Sequence, residues 1–169
     1  MHPTISGLIL WNTEFGSEGM ISLADALCSE SSAVNVLDIG CNAIGVDGAE
    51  ALKLSLTQST TVHTLGLAAG SLGNEGAVAL AEVLEGSKSL LRVDMRQNDL
   101  GVAGLMALSL SVKMNPRLLA LDLEGSSEGG NESEMETQLI QQVSTHCAAN
   151  GVKGDAPAVP AAAAPIETE

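Results

Sequence analysis

Apolar residues along this chain follow two rhythms that take turns. Short runs such as Leu65-Gly66-Leu67 alternate apolar and small or polar positions, and longer stretches place apolar residues at i, i+3, i+4 and i+7, as Ala77, Leu80, Ala81 and Leu84 do. The first rhythm predicts a strand with one buried face, the second an amphipathic helix. The pair recurs. GLILWNTEFGSEGMISLADAL from Gly7, VLDIGCNAIGVDGAEALKLSL from Val36, TLGLAAGSLGNEGAVALAEVL from Thr64 and RVDMRQNDLGVAGLMALSLSV from Arg92 align on one frame, L-x-L-x-x-N-x-h-G-x-x-G-x-x-x-L-x-x-x-h, where h is apolar. Leu10, Ile39, Leu67, Met95 and Leu123 occupy equivalent places, separated by 29, 28, 28 and 28 residues.

A fixed period of this length is the signature of a stacked array in which each unit buries its apolar face only against its neighbours. The helical stripe reads Met20, Leu23 and Leu27 in the first copy, Ala49, Leu52 and Leu56 in the second, and Leu105, Leu108 and Val112 in the fourth. Strands are expected to centre on Leu8 to Leu10, Leu37 to Ile39, Leu65 to Leu67, Val93 to Met95 and Leu121 to Leu123.

The stretch AGSLGNEGAVALAEVL could suggest a phosphate-binding turn, because glycine-rich turns that open helices can hold anions. The period argues against it: Gly73 matches Gly16, Gly45 and Gly101, and Gly76 matches Gly19, Gly48 and Gly104. A phosphate loop is needed once, and the lysine followed by Ser or Thr is missing. These glycines read instead as tight turns and points of close helix approach.

The frame resembles the leucine-rich repeats of the ribonuclease-inhibitor type, the 28-residue class also seen in Ran GTPase-activating proteins, tropomodulins and the C-terminal regions of NOD-like receptors. The resemblance covers about residues 5 to 150 and implies an α/β solenoid of about five repeats, parallel strands on the concave side and helices on the convex side. It also implies that Asn42 and Asn98, at the motif asparagine, hydrogen-bond the backbone of adjacent turns, with Thr13, Gly70 and Ser126 standing in that slot elsewhere.

The two ends of the array differ. After Leu123 the frame decays, and Ser133 with Glu136 forms a capping-box signature ahead of Met135, Leu139, Val143 and Cys147, a stripe that Ile140 widens. A capping helix over about residues 133–150 is expected, stopping at Asn150-Gly151. The division is then a repeat domain over 1–150 and a disordered Ala/Pro-rich acidic tail over 151–169. At the other end only Met1 to Thr4 precede the first strand.

Composition narrows the chemistry. One Trp, one Phe and no Tyr leave an aliphatic core, and 7 Lys plus Arg against 21 Asp plus Glu give a net charge of −14. That charge repels nucleic acid and anionic lipid. Cys28, Cys41 and Cys147 show neither a disulfide framework nor zinc spacing, which suits a reducing, cytoplasmic setting. His146 beside Cys147 is no dyad, since helical neighbours point about 100 degrees apart. Glu18, Asp47 and Glu75 suit helix N-termini. No catalytic, cofactor or metal residues are assigned.

Recognition remains, and the register says where. One concave rung is Ile9, Asp38, Gly66, Asp94 and Asp122; a second is Trp11, Gly40, Ala68, Arg96 and Glu124; a third is Gly7, Val36, Thr64, Arg92 and Ala120. The expected face is apolar around Ile9 and Trp11, bare at its centre, and charged at Arg92, Asp94, Arg96, Asp122 and Glu124. These charges either neutralise one another across adjacent strands or, with Asp38, meet a partner. The reading is a non-catalytic interaction module or scaffold whose protein partner has a basic surface, with self-association or a partner at the N-terminal edge strand. The resemblance also leaves a GTPase activator like those for Ran, or a fragment of a NOD-like receptor or cytoskeletal regulator.

Overall fold

A computed structural model describes residues 5–28, 32–124 and 133–153. Strands and helices alternate: β1 (Gly7–Ile9), α1 (Ser17–Leu27), β2 (Val36–Asp38), α2 (Gly45–Gln58), β3 (Thr64–Gly66), α3 (Gly73–Gly86), β4 (Arg92–Asp94), α4 (Val102–Met114), β5 (Ala120–Asp122) and α5 (Glu134–Lys153). The five strands form one parallel sheet in chain order. Each strand lies one residue earlier than the alternation alone suggests, but backbone pairing continues past it: Leu10 N–H donates to Asp38 C=O, Ile39 to Gly66, Leu67 to Asp94 and Met95 to Asp122.

Strand register carries Leu8, Leu37, Leu65, Val93 and Leu121 into line. Their side chains and the ladder two residues on point between the sheet and the helices, where Leu37, Ile39, Leu67 and Met95 are fully buried. The helical stripes complete this layer: Ala49, Leu52, Leu56, Ala77, Leu80, Leu84, Leu105, Leu108 and Val112 are all buried. Without large aromatics the layer can keep one thickness from repeat to repeat, which suits stacking at a constant pitch.

Two polar ladders tie the repeats together. Asn42 Nδ2 donates to Leu10, Ile39 and Gly40 C=O, while its Oδ1 accepts from Thr13 and Phe15 N–H. Asn98 does the same for Leu67, Met95 and Arg96 C=O and for Gly70 and Leu72 N–H. Each asparagine thus serves its own turn and the preceding one, so the asparagine-free turns at Thr13 and Gly70 are satisfied from the next repeat. The second ladder follows the helices at the same period: Ser59 Oγ accepts from Val62 N–H, Ser87 Oγ from Leu90 N–H, and Asn115 Oδ1 from Leu118 N–H. Ser89 and Asn115 then donate back to the previous repeat, at Ser59 and Leu84 C=O. Sequence reading missed this ladder, though its 28-residue spacing was visible.

The glycines divide by role. Gly45 and Gly73 have φ of +61° and +59°, where L side chains are strained, while Gly16 and Gly101 in the same slot are extended N-cap residues. The tight-turn expectation therefore holds for two of the four. At Gly104 a Cβ would stand 2.8 Å from Ala77 Cβ on the neighbouring helix, the close approach expected.

At the C-terminal end the capping box forms: Glu136 N–H donates to Ser133 Oγ at 3.2 Å and Ser133 N–H to Glu136 Oε2 at 3.1 Å. Val143 and Cys147 are buried, with Leu139 and Ile140 packed beside them. Met135 is corrected out of the stripe, at 56% exposed, and Glu136 is buried in its place. The helix also runs through Asn150-Gly151 to Lys153, because Asn150 Nδ2 is held by Asn115 and Leu118 C=O rather than ending the helix. Ser126 and the tail beyond Lys153 lie outside the described residues.

Candidate interaction face

Register places the three concave rungs as expected, with Ile9, Asp38, Gly66, Asp94 and Asp122 in one line and Gly7, Val36, Thr64, Arg92 and Ala120 beside it. The third line, Trp11 to Glu124, follows from backbone bonds that continue beyond the strands: Asn12 N–H to Gly40 C=O, Cys41 to Ala68 and Ala69 to Arg96.

The centre of the face is not bare. Trp11 lies across Gly40, so a Cβ there would stand 2.6 Å from Trp11 Cε3 and 2.9 Å from Ala68 C=O. Asp38 covers Gly66 in the same way, with its Oδ1 2.5 Å from where a Cβ would be. Side chains of one strand fill the gaps that glycines leave on the next, and Trp11 leans into the array rather than over its open edge. Thr64 is also corrected: it is buried, and its hydroxyl has no hydrogen-bond partner among the described residues.

Charges at the C-terminal half pair within one repeat. Arg96 Nε donates to Asp94 Oδ1 at 2.9 Å and Nη2 to Oδ2 at 2.7 Å, a bidentate pair two residues apart. This fork within one repeat is joined from the adjacent repeat by Asp122 and Glu124 further off, and together they keep the guanidinium well above its ordinary pKa. Arg92 is exposed and forms no ion pair among the described residues. Asp122 and Glu124 are exposed as well. Asp38 is half-buried, and burial raises its carboxyl pKa, opposed by the Gly40 N–H it accepts and reinforced by Asp94.

At the N-terminal end, Ile9 is 55% exposed and Trp11 37%. Leu10 N–H and Ser6 C=O face β2, so by alternation Gly7 and Ile9 turn their backbone groups to the edge that no described strand pairs. Leu8, Leu10, Phe15 and Leu23 are only partly buried, whereas their counterparts Leu37, Ile39, Ile44 and Leu52 are sealed.

Cys147 is buried, and desolvation pushes its thiol up to about 11, away from the thiolate. His146 Nδ1 lies 2.9 Å from Gln142 C=O, one turn back on its own helix. Among the described residues no group of three or more His, Cys, Asp or Glu could hold a metal ion. No described helix is long and apolar enough to cross a membrane.

A leucine-rich-repeat family model matches residues 32–53 and 86–109. No curated protein matches. Among solved structures, the chain is similar to the actin-binding site 2 of leiomodin-1, with a TM-score of 0.75 and 16% identity over 89% of this chain and 85% of that one. It is also similar to the tropomodulin C-terminal domain of Caenorhabditis elegans, with a TM-score of 0.67 and 17% identity over 88% and 87% of the two chains. At such identities the likeness shows the fold, and it agrees with what the repeat frame and the asparagine clasps require. By its frame and its fold, this chain is an α/β solenoid of the leucine-rich-repeat type.

Proposed function

We propose that the protein is a non-catalytic interaction module, a scaffold or assembly subunit of the cytoplasm, that holds a protein partner on its concave face and N-terminal edge. The observation that carries this reading is the contrast between the sealed middle of the array and its open first strand, where apolar side chains and strand backbone groups meet solvent together. The acidic excess of Asp38, Asp94, Asp122 and Glu124 over Arg92 and Arg96, with Arg96 committed to Asp94, favours a partner with a basic surface.

The test begins with affinity capture from native lysate, then direct binding of the purified partner. Actin is the first purified protein to try, since one similar structure is the actin-binding site 2 of leiomodin-1. Ile9→Asp and Asp122→Lys are each expected to weaken binding at least tenfold. Binding untouched by both would remove the concave face from the account. A panel of small GTPases covers the second reading, in which stimulated GTP hydrolysis would mark an activator instead.

A further inference from the structure

Strand β1 lacks the devices that keep a sheet edge from pairing. From Ile5 to Thr13 no residue is charged and none is proline, whereas β4, β5 and the residues just after them carry Arg92, Asp94, Arg96, Asp122 and Glu124. The GLILW run is nearly all apolar, as in a strand covered on both faces. Every later repeat has a small or charged residue at the places of Ile9 and Trp11. Yet Ile9 is exposed, and Leu8 and Leu10 are only partly buried.

Gly7 and the backbone of β1 say what fits this edge. Glycines further along the concave face are covered from the strand before, Gly40 by Trp11 and Gly66 by Asp38, but a Cβ at Gly7 would meet nothing within 4 Å. Gly7 and Ile9 each turn an N–H and a C=O outward. When a second β1 approaches antiparallel, with a two-fold axis at Leu8, Gly7 stands opposite Ile9 of the second copy, and Ile9 opposite its Gly7. Each of these pairs exchanges both hydrogen bonds, and each Ile9 covers the glycine facing it. Leu8 then meets its own equivalent at the close, non-hydrogen-bonded position, on the side where Leu10, Phe15 and Leu23 are also partly buried. The edge is thus complementary to itself, and a two-fold contact closes without leaving a further edge to extend. We propose that a second copy of this chain covers the N-terminal edge, pairing β1 with β1 about an axis at Leu8. This rests on the reading of that edge as a contact site and names its occupant, leaving the concave charges to the basic partner. Since each copy carries a net charge of −14, the pair tightens as salt is added.

Sedimentation equilibrium of the full chain tests the pair. The expected result is a monomer–dimer equilibrium that tightens with salt, weakens at least tenfold in Gly7→Pro and is kept in Gly7→Ala and Asp122→Lys. Proline is tolerated at the first residue of an edge strand whose N–H faces outward, so Gly7→Pro removes that donor and leaves the β1–β2 ladder, with circular dichroism verifying the fold. Register has its own probe. In a Cys28→Ser background, Leu8→Cys should cross-link two copies under oxidised glutathione beyond the background alone, and Ile9→Cys should not. The Cα atoms of a close antiparallel pair stand about 4.5 Å apart, within the span a disulfide bridges. A chain still monomeric at about 1 mM would overturn the proposal. So would a dimer untouched by folded Gly7→Pro, a dimer lost equally in Gly7→Ala, cross-linking through Ile9→Cys rather than Leu8→Cys, or an edge that only a different protein protects. Asp122→Lys bears on the concave partner and not on the dimer, so failure of the concave-face reading and failure of this one are told apart.

Discussion

Trp11 lies over Gly40 of the next repeat, closing from the first turn a gap that the second leaves open. An added methyl at Gly40 must displace the indole and also meets Ala68 C=O, which is backbone and cannot swing aside. Gly40→Ala is therefore expected to cost about 1 to 3 kcal/mol and to shift Trp11 emission to the red with greater quencher access. Gly66→Ala displaces only the flexible end of Asp38 and should cost under about 1 kcal/mol. Urea titrations of both variants, monitored by far-UV circular dichroism, check the difference.

Asn98 clasps two turns in the sealed centre of the array. Asn98→Ala strands the buried Gly70 and Leu72 N–H groups and removes a donor from three carbonyls. The expected cost is on the order of 2 to 5 kcal/mol, since each buried group left unsatisfied costs about 1 to 3. A loss below about 1 kcal/mol in chemical denaturation would show that the turns do not depend on the clasp.

Thr64 offers the opposite case. Its buried hydroxyl lacks a hydrogen-bond partner among the described residues, so Thr64→Val keeps the shape and removes the desolvated group. The variant is expected to gain about 1 kcal/mol, read as a raised thermal midpoint.

Asp38 gives a pH dependence whose sign is fixed by burial. Its folded pKa lies above the ordinary 3.8, so the folded state holds the proton more tightly than the unfolded state does. Its unfavourable contribution grows as pH rises from 3.8 through the folded value and is complete above it. Asp38→Asn, which keeps an oxygen for Gly40 N–H, should be at least as stable as the parent at pH 7, with the advantage fading as pH falls toward 3.8. Parallel denaturation curves across this range test it.

Much of the architecture was legible because a period repeats its own message. Leu10, Ile39, Leu67, Met95 and Leu123 each restate the same register, so strand order, buried ladder and concave rungs follow even with strand bounds off by one. Ser133 and Glu136 were readable because a capping box is local. What stayed hidden depends on contacts between repeats. No pattern within one copy says that Trp11 turns toward Gly40, that Arg96 forks onto Asp94 of its own repeat rather than onto acids of the next, or that Asn150 reaches back to Asn115 and carries its helix to Lys153. Ser59, Ser87 and Asn115 were hidden differently, since their common spacing spans two residue types and so escaped the frame. The concave face shares this limit, because frame positions repeat while surface positions vary freely.

The open first strand is the account's central claim, and amide hydrogen exchange on a demonstrated monomer tests it most directly. Gly7 and Ile9 N–H should exchange fast while Leu67 and Met95 N–H, bonded between repeats in the sealed centre, exchange slowly. Adding the captured partner should then slow Gly7 and Ile9. Slow exchange at Gly7 and Ile9 in the isolated monomer, or unchanged fast exchange under saturating partner, would contradict it.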